Sequence, residues 1–588
     1  MRGPHTLVTA LAHHAVPRAQ QPALIDSSGT VDYAELEDRS AAVGCALRSA
    51  GVDAGDRVLY LAQDTIAVYE LLFGCARIGA VLVPVNQRLA AAEIGYILEH
   101  SAARLVVTDM PDRLGAYPAT VVDLPGYPKW RDGARGTVSE PFPATADTPV
   151  VQMYTSGTTG RPKGVVLAHR TFFAVRSLLD EAGLDWIDWR DGDVSLAALP
   201  SFHIGGMWWA VQGLNSGVAT VVLPAFTAAA AVAAVRDHGV TTSCFVPAML
   251  LLMLSEPGTG PADFASLRKI VYGGSPIGPD LLARAVDTFG CDFAQIYGLT
   301  ETGNTAICLP PEDHRPGRRL RHAAGRPYPG VGIQIRRPDG TAATPGESGE
   351  VLVHSPARMV EYFADPAATA ATVTEDGWVR TGDAGYLDDE GYLVIRDRVE
   401  DLIIVAGENV YPAEVEKAID AHPDVHECAV VGAPDDRWGE RVHAFVVARP
   451  GTGLTRRDLM LFLTGRLAGF KVPSRYDFVE AIPRTPSGKI LRRELRERFW
   501  PIVIDASTEA SGRGGSRLDR QRVIDDLAEM LFVQPAELTA DTDLADLGLD
   551  SLRLTTLVER WRAAGARIDF AGLAEEPVLG AWCTRLGL

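Results

Sequence analysis

The segment Tyr154-Thr155-Ser156-Gly157-Thr158-Thr159-Gly160-Arg161-Pro162-Lys163-Gly164 decides how this chain is interpreted. It follows the apolar pair Val150-Val151 and combines hydroxyl side chains, glycines and two cations. Glycines let backbone N–H groups approach an oxyanion, hydroxyls add donors and Lys163 supplies positive charge, so the segment predicts a phosphate-binding loop. It is not a Walker A loop, because Pro162 stands in place of that motif's second glycine and Gly164 in place of its Ser or Thr. On composition alone, a polar surface turn is the alternative.

Length and composition place this loop in a multidomain globular protein. The chain has 588 residues, which predicts several cores at roughly 100 to 200 residues per domain. A charged fraction of 22% beside a hydrophobic fraction of 47% argues against wholesale disorder, collagen and membrane channels. The net charge of −19, with no block rich in Lys or Arg, argues against a general nucleic-acid binder.

Cysteine spacing and the apolar segments bear on the compartment. The seven cysteines contain no CxxC pair, so neither a zinc site nor a disulfide framework is indicated and a cytoplasmic location is expected. The apolar run Leu7 to Leu11 is cut short by Pro17 and its neighbours, which argues against a secretory signal. Residues Val194 to Val235 include no Asp, Glu, Lys or Arg, but glycines and prolines interrupt them. They predict a buried core and not a membrane span.

The hydrophobic pattern predicts how the chain is divided. Strand and helix patterns alternate over residues 22 to 246, which is typical of an α/β domain with largely parallel sheets. Antiparallel strands are predicted over residues 338 to 393, including a hairpin at Tyr386 to Leu393. A new α+β unit follows Arg398, and the Gly- and Ser-rich residues 506 to 516 have the composition of a linker. Three helical patterns in the acidic segment beyond it predict a small bundle.

Five motifs in order resemble one enzyme family. The phosphate loop with Val165 to His169 resembles the signature of adenylate-forming enzymes, which include acyl-CoA synthetases, aryl-acid ligases and peptide-synthetase adenylation domains. The other four motifs are Tyr297–Glu301, Trp378–Asp383, Arg396–Asp401 with Gly407–Asn409, and Pro483–Lys489. The resemblance covers about residues 5 to 500. One such motif alone is weak, whereas five in sequence favour the family.

The resemblance implies a domain scheme. A large α/β N-terminal adenylation domain with mixed sheets and a small barrel-like part is expected at residues 1–398. A mobile α+β C-terminal subdomain is expected at 399–500, with Glu400 at the hinge, where the family more often has Asp or Lys. A linker at 501–518 and an all-α acyl or aryl carrier domain at 519–588 complete the scheme.

The resemblance also implies a catalytic site that uses ATP and Mg²⁺ to convert a carboxylate into an acyl adenylate. Such a step needs positive charge and donors where negative charge develops. By resemblance, Lys489 bridges the carboxylate and the α-phosphate, Glu301 holds Mg²⁺, and Thr300 donates to the α-phosphate. His203 is a further catalytic candidate.

Nucleotide binding is assigned by the same resemblance. The Tyr297 ring is expected to stack on adenine, and Asp383 to accept hydrogen bonds from the ribose hydroxyls with support from Arg398. Without the motif order, these residues would be interpreted as an ordinary tyrosine and a turn. The full set of nucleotide-binding candidates is Thr155, Ser156, Gly157, Thr158, Thr159, Lys163, Gly273, Gly274, Ser275, Tyr297, Gly298, Asp383 and Arg398.

The acyl pocket is assigned from the residues near these motifs. Pro200 to His203 occupies the region where amino-acid-activating relatives carry an acidic residue for the substrate ammonium group. An imidazole cannot replace that residue, so we predict a carboxylic acid without an α-amino group. The candidate wall residues, for which plain core is the alternative, are Gly205, Gly206, Trp208, Trp209, Val246, Tyr272, Gly273, Gly274 and Asn304.

The C-terminal segment resembles a carrier domain. Leu547 to Leu552 opens a predicted helix and places Ser551 at its N-cap. This stretch resembles the motif of acyl carrier proteins in which phosphopantetheine is esterified to the serine. Asp550 to Leu554 and Phe570 to Pro577 look most like aryl carrier domains. An ordinary helix cap is the alternative for an isolated Asp-Ser pair.

Three functions remain open from the sequence. The first is a self-loading ligase of natural-product biosynthesis, which activates an aryl or fatty acid and transfers it to phosphopantetheine on Ser551. It would need a phosphopantetheinyl transferase and a downstream synthase or condensation enzyme as partners. The second is an acyl-CoA synthetase that uses CoA and releases a free thioester, and the third is a catalytically silent docking scaffold.

Overall fold

The computed structural model describes most of the chain. The described residues are 5–115, 117–136, 140–155, 162–275, 277–314, 323–398, 401, 403–405, 408–435, 439–464, 466–467, 469–484, 490–492, 494–496, 518–531, 533–544, 547, 549, 554, 557–558, 560–561, 566, 568, 573 and 576–588. The helices are α1 Leu7–Ala15, α2 Tyr33–Ser49, α3 Ile66–Ile78, α4 Ala91–Ser101, α5 Tyr127–Asp132, α6 Ala174–Ala182, α7 Ile204–Asn215, α8 Ala228–His238, α9 Pro247–Leu254, α10 Pro279–Phe289, α11 Pro366–Thr372, α12 Pro412–Asp420, α13 Arg456–Leu463, α14 Arg520–Leu531 and α15 Leu579–Leu586.

The strands of the same residues form four sheets. They are β1 Pro22–Asp26, β2 Gly29–Asp32, β3 Arg57–Leu61, β4 Val81–Pro84, β5 Leu105–Thr108, β6 Thr120–Asp123, β7 Pro149–Thr155, β8 Lys163–Ala168, β9 Val194–Ala197, β10 Ala219–Val222, β11 Thr242–Phe245, β12 Lys269–Gly273, β13 Asp292–Tyr297, β14 Ile307–Leu309, β15 Arg326–Pro327, β16 Gly332–Arg336, β17 Gly349–His354, β18 Glu361–Tyr362, β19 Val379–Leu387, β20 Leu393–Arg398, β21 Ile403–Val405, β22 Glu408–Val410, β23 Val425–Asp435, β24 Gly439–Ala448 and β25 Arg475–Phe478.

The first compact unit, Met1–Thr381 with Gly385–Ile395, contains the predicted α/β alternation. Its nine-stranded sheet has the order β15-β14-β13-β12-β11-β9-β10-β1-β2, and its seven-stranded sheet has the order β18-β8-β7-β4-β3-β5-β6. The central pairs, such as β11 with β12 and β3 with β4, are parallel. This confirms the predicted α/β class with mixed sheets.

Local sequence explains where individual helices begin and end. The hydroxyl of Thr65 accepts a hydrogen bond from the backbone N–H of Ala67 and caps α3. Gly79 ends the helix at φ 76°, in the left-handed region that favours glycine.

The charge-free segment becomes core, as predicted. Helix α7 buries nearly its whole length, and Trp209 within it is 1% exposed. Burying a stretch without charges avoids the cost of desolvating unpaired ions. None of the helices in the described residues combines the length and hydropathy required to cross a bilayer.

Antiparallel strands follow in the four-stranded sheet, whose order is β16-β17-β19-β20. The predicted hairpin lies between the ends of β19 and β20, and its turn is closed by a hydrogen bond from the Gly391 N–H to the Asp388 carbonyl. The prediction of a helix-poor antiparallel region is therefore confirmed.

The described residues of the second compact unit, Gly382–Ala384 with Arg396–Leu588, form three hydrophobic clusters. Two of them include residues of the sheet β22-β21-β24-β23, to which β25 is added through β24. The third includes Leu527 and Leu531 of α14 and Trp582 of α15. These two helices match two of the three helical patterns predicted for the carrier segment. The residue boundaries of the domain scheme stay predictions.

Candidate active site

Strands β7 and β8 bring together the two ends of the phosphate loop. Thr155, the last residue of β7, pairs with Lys163, the first residue of β8, in an antiparallel register. The strand pairing therefore fixes both flanks of the loop, although its residues 156–161 lie outside the described part of the chain. Of the predicted loop residues, Thr155 and Lys163 are placed in this way.

Helix α4 contacts both flanks of this loop. The Tyr96 hydroxyl donates to the Pro162 carbonyl at 3.2 Å, and His100 Nδ1 lies 2.8 Å from the Tyr154 hydroxyl. Gln152 Nε2 donates to that same hydroxyl at 3.1 Å, so the Tyr154 proton is directed at His100. Burial lowers the pKa of His100, which favours the neutral acceptor that this arrangement needs.

Thr300 and Glu301 lie in a tight turn between β13 and β14. The Leu299 N–H donates to the Thr302 hydroxyl at 2.8 Å, and the Asn304 N–H donates to the Leu299 carbonyl at 2.9 Å. A Cβ atom at Gly298 would lie 2.4 Å from the Asn304 carbonyl oxygen, so the turn closes only around glycine. The motif's glycine is therefore required by packing.

Glu301 is held at its backbone and at its carboxylate. Its carbonyl accepts from the Met359 N–H at 2.9 Å, and its Oε1 accepts from the Tyr362 hydroxyl at 2.8 Å. Lys163 Nζ lies 4.9 Å from the centroid of the Tyr362 ring. One aromatic side chain thus joins the loop's lysine to the turn's carboxylate. Burial and the negative charge of Glu301 raise the pKa of Tyr362, which keeps its hydroxyl a donor.

The Glu301 carboxylate fits a magnesium ion that is bound mainly by substrate phosphates. Mg²⁺ in nucleotide sites commonly takes one or two protein carboxylates, phosphates and waters. Within the described residues, Glu301 Oε2 has no hydrogen-bond partner, and no group of three or more His, Cys, Asp and Glu side chains could hold a metal by itself. A single free carboxylate oxygen beside a phosphate loop agrees with that requirement.

His203 is the exposed N-cap residue of α7, and the loop before it is held by hydrogen bonds to the buried Asp64. Ser201 donates to Asp64 through its N–H at 2.7 Å and also through its hydroxyl. Asp64 is 5% exposed, and burial raises its pKa to about 6. This buried carboxylate therefore fixes the residues directly before Phe202 and His203.

The predicted wall residues divide into two groups. Gly274, at φ 81°, lies beside Val246, and Gly205 lies beside the side chains of Leu199 and Asn304. Asn304 is 8% exposed, and its Nδ2 donor has no hydrogen-bond partner among the described residues. A donor of this kind is available to a ligand.

The other wall candidates are packed as core. Trp208, Trp209 and Gly206 are buried on α7. The Tyr272 hydroxyl donates to Gln295 Oε1 at 3.0 Å and lies 3.0 Å from His314 Nε2. For these residues, the alternative of plain core agrees with the structure.

Most of the remaining nucleotide candidates lie at or directly after strand ends, and Asp383 lies within a strand. Gly273 ends β12 and is followed by the exposed Gly274 and Ser275, while Tyr297 ends β13. Asp383 is buried on β19. The positions that lie outside the described residues are Ser156, Gly157, Thr158, Thr159, Glu400, Lys489 and Ser551, and Arg398 is described for its backbone only.

Comparison with protein-family models decides the family. The model of the AMP-binding enzyme matches residues 11–363, and that of the AMP-binding enzyme C-terminal domain matches residues 414–489. The chain belongs to the AMP-binding enzyme family. A phosphopantetheine attachment site model matches residues 521–586, a range that includes Ser551.

Curated relatives of this AMP-binding enzyme include ligases for two kinds of acceptor. A fatty acid–[acyl-carrier-protein] ligase of Streptomyces coeruleorubidus is 54% identical over 84% of this chain and 96% of the relative. A feruloyl-CoA synthase of Amycolatopsis is 37% identical over 79% of this chain and 94% of the relative. A long-chain-fatty-acid–CoA ligase of Mycobacterium tuberculosis is 35% identical over 83% of this chain and 97% of the relative.

Solved structures agree on fold and nucleotide. The o-succinylbenzoate CoA synthetase of Bacillus subtilis with ATP and magnesium has a TM-score of 0.72 and 32% identity over 83% of this chain and 98% of that one. ATP-bound MatB from Rhodopseudomonas palustris has a TM-score of 0.77 and 29% identity over 85% of this chain and 99% of that one. The AMP-binding enzyme described here is therefore an adenylate-forming ligase that uses ATP, and it carries a phosphopantetheine attachment region.

Several residues that contact the candidate site of this AMP-binding enzyme were not predicted from the sequence. Tyr362 and Asp64 contact site elements far away along the chain, which no local pattern reveals. Tyr96 and His100 did leave a signal, because two polar aromatic residues four positions apart lie on one face of a helix. That spacing could have indicated a shared contact with the loop.

Proposed function

We propose that this enzyme activates a fatty acid as its acyl adenylate and transfers the acyl group to phosphopantetheine on its own Ser551. One observation supports this most strongly: a single chain joins a region 54% identical to a fatty acid–[acyl-carrier-protein] ligase with a phosphopantetheine attachment region at 521–586. A tethered acceptor would have an effective concentration on the order of millimolar, so loading within the chain would outcompete loading between chains.

The geometry suits the first half-reaction. A carboxylate oxygen of the acid attacks the α-phosphorus of ATP, and the bond from that phosphorus to the bridging oxygen breaks to release pyrophosphate. Lys163 lies at the start of β8 with its ammonium group over an aromatic ring, where it can stabilise phosphate charge. Glu301 would hold Mg²⁺, which would neutralise charge on the phosphates. Thr300, on the same turn, would donate to the α-phosphate.

The second half-reaction transfers the acyl group to a thiol. The phosphopantetheine sulfur attacks the acyl carbonyl carbon, and the bond to the AMP oxygen breaks. We assign Lys489 to the first step alone, with Glu400 as the hinge of the domain movement between the steps. Tyr297, Asp383 and Arg398 are proposed to bind the adenosine in both.

The acyl-pocket region and the relatives support the proposed class of acid. His203 is exposed at the head of α7, in the region where amino-acid-activating relatives carry an acidic residue, so an α-amino group would lack a counter-ion. A fatty acid is favoured by the most similar of the three relatives described above, whereas an aryl acid is favoured by the feruloyl-CoA synthase. We therefore propose a fatty acid and keep aryl acids in the assay.

A second candidate function is release of free acyl-CoA. The identity of 35% to a long-chain-fatty-acid–CoA ligase supports it. In that case CoA would be the acceptor, and the carrier region would serve a later step.

We further propose a phosphopantetheinyl transferase and a downstream synthase or condensation enzyme as partners, a role in natural-product biosynthesis, and the domain boundaries given above.

The test begins with acid-dependent ATP–pyrophosphate exchange across fatty acids, benzoates and cinnamates. Holo-protein is then incubated with ATP and the best acid, and intact mass is measured with and without CoA. We expect the acyl mass to appear without CoA and to be absent from Ser551→Ala. Formation of acyl-CoA with an unloaded carrier would favour the second function, and no exchange with any acid would revive the docking scaffold.

The role of Lys489 is tested in the two half-reactions separately. Lys489→Ala is expected to abolish adenylation, because it removes the cation between the two reacting anions, and to retain thioester formation from supplied acyl adenylate. Equal loss of both activities would contradict this division of labour. Lys417→Ala on α12 is the matched control and should retain both activities.

A further inference from the structure

Strand β18 places Tyr362 between the phosphate loop and the Thr300–Glu301 turn. Tyr362 pairs with Val165 of β8, and two flanking hydrogen bonds extend the pairing: the Val360 N–H donates to the Val166 carbonyl at 2.8 Å, and the Phe363 N–H donates to the Gly164 carbonyl at 2.7 Å. The adjacent Met359 N–H donates to the Glu301 carbonyl. The segment 359–363 is thus fixed to both parts of the site.

The Tyr362 side chain uses this position for two different contacts. Its hydroxyl donates to Glu301 Oε1 at 2.8 Å, while its ring face lies 4.9 Å from Lys163 Nζ. The electron-rich ring attracts the ammonium group, and the hydroxyl attracts the carboxylate. Within the described residues, Lys163 and Glu301 form no ion pair with each other or with another side chain. The ring therefore holds two opposite charges near each other without letting them neutralise.

We propose that Tyr362 is a positioning residue that directs the free oxygen of Glu301 at the magnesium of bound MgATP and holds Lys163 at the phosphate loop. This inference rests on the proposed function, since it takes ATP as the ligand. Without the hydroxyl, the carboxylate could rotate about its side-chain torsions, and each binding event would have to order it again. Without the ring, Lys163 could reach Glu301 and cancel its charge.

The test uses Tyr362→Phe with Tyr392→Phe as a matched control. Tyr392 also donates from its hydroxyl to a carboxylate, Asp313 Oδ2, at 2.7 Å. For each purified full-length variant, ATP binding is measured by calorimetry over a series of Mg²⁺ concentrations, without acid or acceptor, and thermal unfolding is followed in parallel.

Tyr362→Phe is expected to raise the Mg²⁺ concentration for half-maximal ATP binding about ten-fold, as for loss of one hydrogen bond to a charged group. Its affinity for metal-free ATP should stay within about two-fold of wild type, because the ring remains under Lys163. Tyr392→Phe should change neither value. An unchanged Mg²⁺ requirement in Tyr362→Phe, or the same shift in both variants, would overturn the proposal.

Tyr362→Leu separates the two contacts. It removes the ring as well, so binding of metal-free ATP should also weaken, by about three-fold or more for loss of a cation–π contact. Unweakened metal-free binding would contradict the proposed role of the ring. Because acid and thiol are absent, these measurements are independent of acyl transfer. Wild type that binds MgATP but loads no acyl group would refute the proposed function and leave the role of Tyr362 standing.

Discussion

Two tyrosines of the first unit, Tyr392 and Tyr362, each contact one carboxylate and one cation. Only around Tyr392 do the cation and the carboxylate also contact each other, among the described residues. Tyr392 donates to Asp313, and the Arg326 guanidinium carbon lies 5.1 Å from its ring centroid. Arg326 also lies 4.0 Å from Asp313 Oδ2, so the cation and the carboxylate partly neutralise each other.

Tyr362 contacts the same two kinds of charged group, a cation and a carboxylate. Lys163 lies over the ring and Glu301 accepts from the hydroxyl, yet the two charges are not paired in the part of the chain that the structure describes. Asp313 is 2% exposed, whereas Glu301 is only half-buried. We infer that the paired charges around Tyr392 stabilise the fold, whereas the unpaired charges around Tyr362 stay available to a ligand.

Neutralising each of the two carboxylates should give the largest difference in activity between the two groups. Glu301→Gln removes the charge that would hold Mg²⁺ and should lower kcat/KM for ATP–pyrophosphate exchange about a hundred- to a thousand-fold, the range for loss of one strong electrostatic contact to a transition state. Asp313→Asn keeps an acceptor for Tyr392 and should retain the exchange rate with a lowered melting temperature. Similar rate losses in both variants would show that the two groups are not functionally distinct.

A third carboxylate, that of Asp64, is buried and contacts no cation among the described residues. It accepts hydrogen bonds only from Ser201 among the described residues, and burial raises its pKa from 3.8 to about 6. A raised pKa in the folded state favours the protonated form. The contribution of Asp64 to stability is therefore fully present below pH 3.8 and is lost as the pH rises through about 6.

Asp64→Asn should abolish this loss, because Asn is neutral and can still accept from the Ser201 N–H while donating to its hydroxyl. Relative to wild type, the variant should gain stability between pH 4 and pH 6, by at most about 3 kcal/mol from 1.36 kcal/mol per pKa unit. Melting temperatures of both proteins over pH 3.5 to 8 measure the difference.

The matched control is Asp339→Asn. Asp339 also accepts from the N–H and hydroxyl of one residue, Thr341, but it is exposed and these bonds lower its pKa. The sign should reverse, so that Asp339→Asn loses stability relative to wild type as the pH rises through the ordinary carboxyl range. The same sign in both variants would contradict burial as the cause of the Asp64 shift.

Much of this architecture could be predicted from the sequence, because its signals are local. Alternating strand and helix patterns predicted the parallel sheets. Motif order made Thr300 and Glu301 site candidates, and the structure places both in one turn beside a glycine that packing requires. The absence of charge in Val194 to Val235, together with the glycines and prolines that interrupt the segment, predicted core.

Contacts between distant segments could not be predicted in the same way. Tyr362 reaches Glu301 only because β18, a strand of two residues, joins the edge of a sheet at β8. Asp64 meets Ser201 across 137 positions of sequence. Neither contact has a periodicity or a turn signal. The first depends on which sheet edge the folded domain leaves open, and the second joins two loops that only the fold brings together. The wall residues show the converse limit, because proximity to a motif did not distinguish Asn304 from Tyr272. Asn304 has a buried donor with no partner among the described residues, whereas the Tyr272 hydroxyl is hydrogen-bonded in the core.

The smallest effect on activity is expected from neutralising the two cations, Lys163 and Arg326, and it should be seen in the KM for ATP. Lys163→Met keeps most of the apolar stem but removes the charge, and it should raise the KM for ATP about ten-fold, as for loss of one charge-assisted hydrogen bond to phosphate. Arg326→Met should leave KM unchanged. Its side chain is 38% exposed, so loss of its ion pairs with Glu312 and Asp313 should cost less than about 1 kcal/mol of stability.

Steady-state exchange at varied ATP measures KM, and chemical denaturation of each variant measures stability. If Arg326→Met raised KM as much as Lys163→Met, the long-range electrostatic field of the protein would govern ATP binding. The position of each cation at its tyrosine would then have no effect of its own. If only Lys163→Met raises KM, the effect is local. The cation that binds phosphate would then be Lys163, which is not paired with Glu301 among the described residues.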